Sequence, residues 1–116
     1  MKDSIIKDKS KAFALRIIKL YKFLTIISEQ KEYVLSKQML RSGTSIGANI
    51  KEALRGQSRP DFRAKMAIAL KEASETEYWL ELLFESEYID SSSFDSIVED
   101  CRELIKILTS IVKSTE

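Results

Sequence analysis

Histidine is missing from all 116 residues, and that absence removes several kinds of chemistry at once. There can be no Ser–His or Cys–His nucleophile pair, no His-containing zinc site and no Glu-x-x-His pair of the di-iron bundles. Cysteine is nearly absent: Cys101 stands alone, so no internal disulfide can form, and a reducing compartment suits it. One proline and three glycines are too few for a β-rich fold built on many tight turns. No apolar run approaches the roughly 18 residues of a membrane span. Lys7, Asp8, Lys9 and Lys11 interrupt the early apolar residues, which do not read as a signal peptide. The expectation is a cytoplasmic protein that does not engage a membrane.

What is present favours helix. Leu, Ile, Ala, Lys and Glu dominate, and the length suits a single domain over residues 1–116. Apolar spacing and break signals divide the chain into helices at about 10–28, 34–55, 59–86 and 91–113. The first carries Phe13, Ile17, Leu20, Leu24 and Ile27 on one face, and the second Leu35, Met39, Ile46, Ile50 and Ala53. Gly56 stands where a left-handed residue would end the second helix. Ser58, Pro60 and Asp61 form a strong start for the third, whose stripe is Phe62, Met66, Leu70, Ala73, Leu80 and Phe84. Asp90 or a following serine caps the fourth, built on Phe94, Ile97, Cys101, Leu104, Leu108 and Ile111. Short connections between helices of this length predict an all-α, antiparallel up-down-up-down four-helix bundle.

The net charge of +1 hides a split. Residues 1–71 hold 16 Lys or Arg against 6 Asp or Glu, and residues 72–116 hold 3 against 12. Either the basic half faces phosphates, or the first two helices pair with the last two.

Within the second helix, Gly43 and Gly47 lie together beside the apolar stripe. Each costs roughly 1 kcal/mol relative to alanine, so close approach of another helix is the expected compensation. Gln38, Ser45, Asn49 and Glu52 form a polar seam on the other flank. Glu77 falls inside the apolar arc of the third helix and needs donors, for which Arg41 and Asn49 are candidates. With Ser45, Asn49 and Glu52 it is expected to form a structural polar network. Leu15, Ile18 and Ile26 on the first helix, with Ile68, Trp79 and Leu82 on the third, turn away from the core stripes and point to a homo-oligomer interface.

Two motifs carry a resemblance. QMLRSGTSIGANIKEA (38–53) and KEASETEYWLELL (71–83) together resemble the four-helix bundle family also called ribosomal S23, or 23S rRNA intervening-sequence, proteins. The match reads through Ser45, Ile46, Asn49, Ile50 and Glu52, then through Lys71, Glu72, Ala73, Glu75, Thr76, Tyr78, Trp79 and Leu80. Ser74 departs from the arginine expected in close relatives. The resemblance implies an up-down bundle assembled as a homopentameric ring, with no known enzymatic activity. It also implies kinship with the accessory protein of diversity-generating retroelements, which joins a reverse transcriptase and nucleic acid, and so an RNA-binding role.

The residues allow a similar reading. Lys51, Arg55, Arg59, Arg63 and Lys65 run from the second helix through the turn into the third, with Lys37 and Arg41 nearby. Repeated in an oligomer, this cluster makes a cationic surface for phosphates. No P-loop or dinucleotide fingerprint appears, and no cofactor or metal is expected. Cys101 sits on a core stripe, as a buried hydrophobe rather than a nucleophile. Two functions remain open: a non-enzymatic nucleic-acid-binding accessory protein, or a homo-oligomeric protein-interaction scaffold with no nucleic-acid ligand.

Overall fold

Apolar side chains recurring every three and four residues draw four helices around one core. The computed structural model describes residues 2–56 and 58–116, and no strand occurs among them. The helices are α1 (Lys2–Lys22), α2 (Val34–Leu54), α3 (Arg59–Glu85) and α4 (Ser91–Ser114). They form a rod with extents of 48 × 20 × 19 Å. Contacts between neighbours run in opposite order, as antiparallel packing requires. Ile17 and Ser10 of α1 meet Gly43 and Gly47 of α2, and Arg41 and Glu52 of α2 meet Glu72 and Lys65 of α3. Of the four adjacent helix pairs, α1 and α4 make the lightest contact.

The apolar stripes expected for α2 and α4 are largely the observed core. Met39, Ile46, Ile50 and Ala53 are buried, as are Phe94, Ile97, Cys101, Leu104, Leu108 and Ile111. In α3 the inner face is Met66, Ala69, Ala73, Thr76, Leu80 and Leu83, while Phe62, Leu70 and Phe84 pack half-buried beside it. No helix among the described residues is long and apolar enough to cross a membrane.

Three expectations need correction. First, α1 begins at Lys2 rather than near Ser10. The charges at 7, 8, 9 and 11 lie on its outer face, while Ile6, Ser10, Phe13 and Ile17 turn inward at helical spacing. Second, Ile27 is 70% exposed, not core. Phe23–Ile27 form a wider π-helical turn, in which Ser28 N–H donates to Phe23 O at 2.8 Å. That wider turn shifts the inward positions, and Thr25 is buried beside the expected Leu24 in place of Ile27. The Thr25 hydroxyl donates to Tyr21 O at 2.8 Å, so its burial leaves no unpaired group. Third, Gly56 is not left-handed. The positive-φ residue is Glu87, at 67°, just after α3. Gly56 instead makes room for a side chain: a Cβ there would stand 2.5 Å from Asp61 Oδ2.

The helix starts follow elementary capping. Ser58 Oγ accepts from Asp61 N–H at 3.2 Å, and Asp90 Oδ1 accepts from Ser93 N–H at 2.7 Å. The second bond holds the Asp90 carboxyl below its ordinary pKa. At α2 the work falls to Glu32, in the segment that reads in sequence only as a break. Its buried carboxylate accepts from the N–H groups of Val34, Leu35 and Ser36 at 3.0, 3.1 and 2.7 Å. A negative charge at a helix N-terminus also meets the favourable end of the dipole.

The two glycines of α2 have different roles. Gly43 is buried, and a Cβ on it would come within 2.9 Å of both Cγ1 and Cγ2 of Ile17. Ile17 is itself fully buried and β-branched, so it cannot swing aside. At Gly47 the nearest atom to such a Cβ would be Ser10 Oγ at 3.5 Å, an ordinary contact. The close approach therefore lies between α1 and α2 of one chain. Overpacking at Gly43→Ala costs about 1–3 kcal/mol and outweighs the gain of about 1 kcal/mol in helix propensity, whereas Gly47→Ala keeps that gain. Urea unfolding midpoints should fall for the first substitution and hold or rise for the second.

Candidate nucleic-acid interface

The sequence points to seven cations, and the fold treats them unequally. Arg41 pairs with two carboxylates of α3, Glu72 at 3.1 Å and Glu75. Lys65 pairs with Glu52 at 3.3 Å, and Arg63 with Glu116 at 3.4 Å. Arg63 Nε is buried and has no acceptor among the described residues. Arg59 donates to the Ser114 carbonyl at 3.4 Å, so it serves the C-terminal end of α4, where a cation suits the dipole. Lys37, Lys51 and Arg55 remain: all three are exposed and have no ion-pair partner among the described residues.

Lys37 and Lys51 share one face of α2, about 21 Å apart, and Arg55, just past its last residue Leu54, follows about one turn beyond Lys51. Between them the outer face carries Arg41, committed to α3, and the small Thr44 and Ala48. The turn into α3 contributes less than its sequence suggests. Its open cleft of about 540 Å³ sets Arg55 and Lys65 beside the acids Glu52 and Asp61.

The polar seam does not form one network. The Ser45 hydroxyl donates to Arg41 O at 2.6 Å, and Asn49 Nδ2 donates to Ser45 O at 2.8 Å, both within α2. Glu52 turns to Lys65. Glu77 is not clasped by Arg41 or Asn49. Its carboxylate accepts from Arg102 Nε at 2.7 Å, at the half-exposed seam between α3 and α4, with Glu81 3.7 Å from the same guanidinium. That hydrogen bond raises the pKa of Arg102 above its ordinary value. The buried polar contact between α2 and α3 is one the sequence reading missed. Thr76 Oγ1 lies 2.8 Å from both Ser42 Oγ and the Glu72 carbonyl. Serine and threonine at inward helical positions are its only signal in the sequence.

Of the six residues expected at an oligomer interface, Leu15, Ile26 and Ile68 are exposed. Ile18, Trp79 and Leu82 are half-buried; Trp79 packs on the core and its Nε1 lies 3.4 Å from Glu75 Oε1. Tyr78, its neighbour, takes the outward position. A groove of about 600 Å³ lies where α1 is loosely held on α4, with Leu20, Phe23, Tyr88, Ile89 and Ile97 in its wall.

The chain is similar, over residues 2–110, to the family described as 23S rRNA-intervening sequence protein. It is also similar to a crystal structure, at 1.70 Å resolution, of a protein of unknown function from the S23 ribosomal protein family of Bacteroides thetaiotaomicron VPI-5482. The two chains are 62% identical, with 97% of this chain and 99% of that one covered and a TM-score of 0.92. No curated protein is matched.

Cys101 offers a check on the packing of α3 against α4. Its thiol lies 3.3 Å from the Ala73 carbonyl, and burial, reinforced by the Glu77 carboxylate, pushes its pKa up to about 12. The folded value stands above the unfolded one of about 8.5, so this thiol stabilises the fold fully below that pH. The contribution fades as pH rises above it. Thiol labelling at pH 8 should be about three orders of magnitude slower in the native protein than in denaturant. Equal rates would mean that α3 and α4 do not pack this way.

Proposed function

Because the chain belongs to the 23S rRNA-intervening sequence protein family, we propose that it is a self-associating, non-catalytic cytoplasmic bundle that binds structured RNA or a related nucleic acid through its phosphates. The observation that carries this reading is the row of Lys37 and Lys51 on α2 and Arg55 just past its end, three exposed cations with no ion-pair partner among the described residues. Phosphate binding by such a row is electrostatic and largely independent of sequence. The face carries no aromatic platform, so stacking of single-stranded bases has no support there. The row supplies three cations per copy, which is weak binding on its own. Several copies in one assembly turn weak contacts into avidity.

The lack of histidine supports a binding role over a catalytic one. A scaffold that touches no nucleic acid is the competing reading. It draws on the fact that Arg41, Arg63 and Lys65 already face carboxylates of their own chain.

Filter binding to a structured RNA separates the two. Each phosphate contact contributes a slope of about −0.9 to the dependence of log affinity on log salt. Replacing Lys37, Lys51 and Arg55 together by alanine should therefore flatten the slope by about 2.7 per bound copy and weaken low-salt affinity at least tenfold. Alanine at Arg59 and Arg63 should lower stability more than affinity, since these side chains hold the end of α4. No low-salt binding by the wild type, or an unchanged slope in the triple variant, would leave the scaffold.

A further inference from the structure

The proposed self-association leaves open which surfaces meet. Every helix turns one face out of the bundle, and those of α1 and α3 carry the exposed large apolar side chains Ile5, Leu15, Ile68 and Tyr78. Each of α1 and α3 packs mainly on α2 and α4, so the two are diagonal and their outer faces point away from each other. On α1, the exposed positions 5, 8, 12, 15, 19 and 22 follow a spacing of three and four residues. On α3, positions 68, 71, 75, 78, 82 and 85 follow the same spacing. Each row mixes apolar residues with charged ones: Ile5, Ala12 and Leu15 with Asp8, Lys19 and Lys22 on α1, and Ile68, Tyr78 and Leu82 with Lys71, Glu75 and Glu85 on α3.

The two stripes match in chemistry as well as in period. A constant offset of 63 aligns Ile5 with Ile68 and Leu15 with Tyr78, four side chains that are all large, apolar and exposed. The same offset sets Asp8 against Lys71 and Lys22 against Glu85, opposite charges both times. None of these four charged side chains has an ion-pair partner within the chain among the described residues. Lys19 falls against Leu82, where its methylene stem can cover the leucine.

The heights match too. Ile17 rests against Gly43, and the adjacent Ser42 bonds Thr76. On the other side Arg16 holds Asp100, two residues before Arg102, which holds Glu77. The first route sets residue 17 of α1 level with about 75 of α3 and the second sets residue 16 level with about 79, so the offset of 63 lies within about one and a half turns of both. With α1 and α3 running in the same direction, copies related by rotation about an axis parallel to the rods keep these heights.

We infer that the outer face of α1 in one copy docks, parallel and in this register, on the outer face of α3 in a second copy. This rests on the self-association reading. The contact is heterologous: the two surfaces differ, each copy offers both, and the chain of copies closes into a ring or runs on.

Single-cysteine variants test it. Leu15→Cys and Tyr78→Cys alter exposed positions, so folding is retained, and circular dichroism verifies this. Buried Cys101 stays silent, which the wild type controls. With a short bis-maleimide, an equimolar mixture of the two variants should give covalent dimers that neither gives alone. Lys22→Glu and Glu85→Lys should each lower the association constant about tenfold, and the doubly substituted chain should recover it. Native mass spectrometry of the wild type is run in parallel. A monomer at every concentration overturns self-association itself. An assembly that yields no cross-link from the mixture, yields one from Leu15→Cys alone, or is not restored by the charge swap overturns only the α1-on-α3 register.

Discussion

How near α1 can come to α2 governs how this bundle closes. At Gly43 the backbone of α2 has no side chain, and the fully buried Ile17 occupies the space. A methyl group at that point would lift α1 away from a core it helps to close, while α1 is held only lightly by α4 on its other side. The position of the first helix is thus set chiefly by one contact between a glycine and a β-branched residue. Ser10, buried one step along and bonded to the Lys7 carbonyl at 3.0 Å, continues the same tight seam beside Gly47.

Charge acts on a second level. The basic first half and acidic second half are partly reconciled inside the chain, through Lys9 with Glu103, Arg16 with Asp100, and Arg41 with Glu72 and Glu75. Such half-exposed pairs add little stability singly. Their larger effect is to decide which cations stay available. Arg41 and Lys37 are four residues apart on α2, yet one is committed to α3 and the other is not. A cluster that looks uniform along the chain thereby becomes a narrow row.

Much of the fold was legible because periodicity and caps are local. Phe94 to Ile111 could be placed from spacing alone, and Ser58 with Pro60 and Asp61 marked the start of α3. The family resemblance rested on 38–53 and 71–83, segments that form the α2 and α3 seam. Less legible was anything set by the partner of a side chain. Whether Glu77 meets Arg102 or Arg41 depends on which helices are neighbours, and spacing along one helix does not carry that. The early start of α1 was hidden because charges at 7, 8, 9 and 11 look like an interruption until Ile6 and Ser10 are seen to point inward. Free and engaged cations could not be separated for the same reason.

The π-helical turn at Phe23–Ile27 also shapes the surface. A helical wheel treats a helix as a wave of fixed wavelength, and this turn is a slip in its phase. At its end Ile27, which the wave would send inward, emerges at the surface, and Tyr33 on the connection and Val34 at the start of α2 are exposed as well. The apolar tip of the rod is therefore partly a product of backbone winding. Deleting a residue within the turn would rewind it and move greasy surface inward without changing the character of a single side chain.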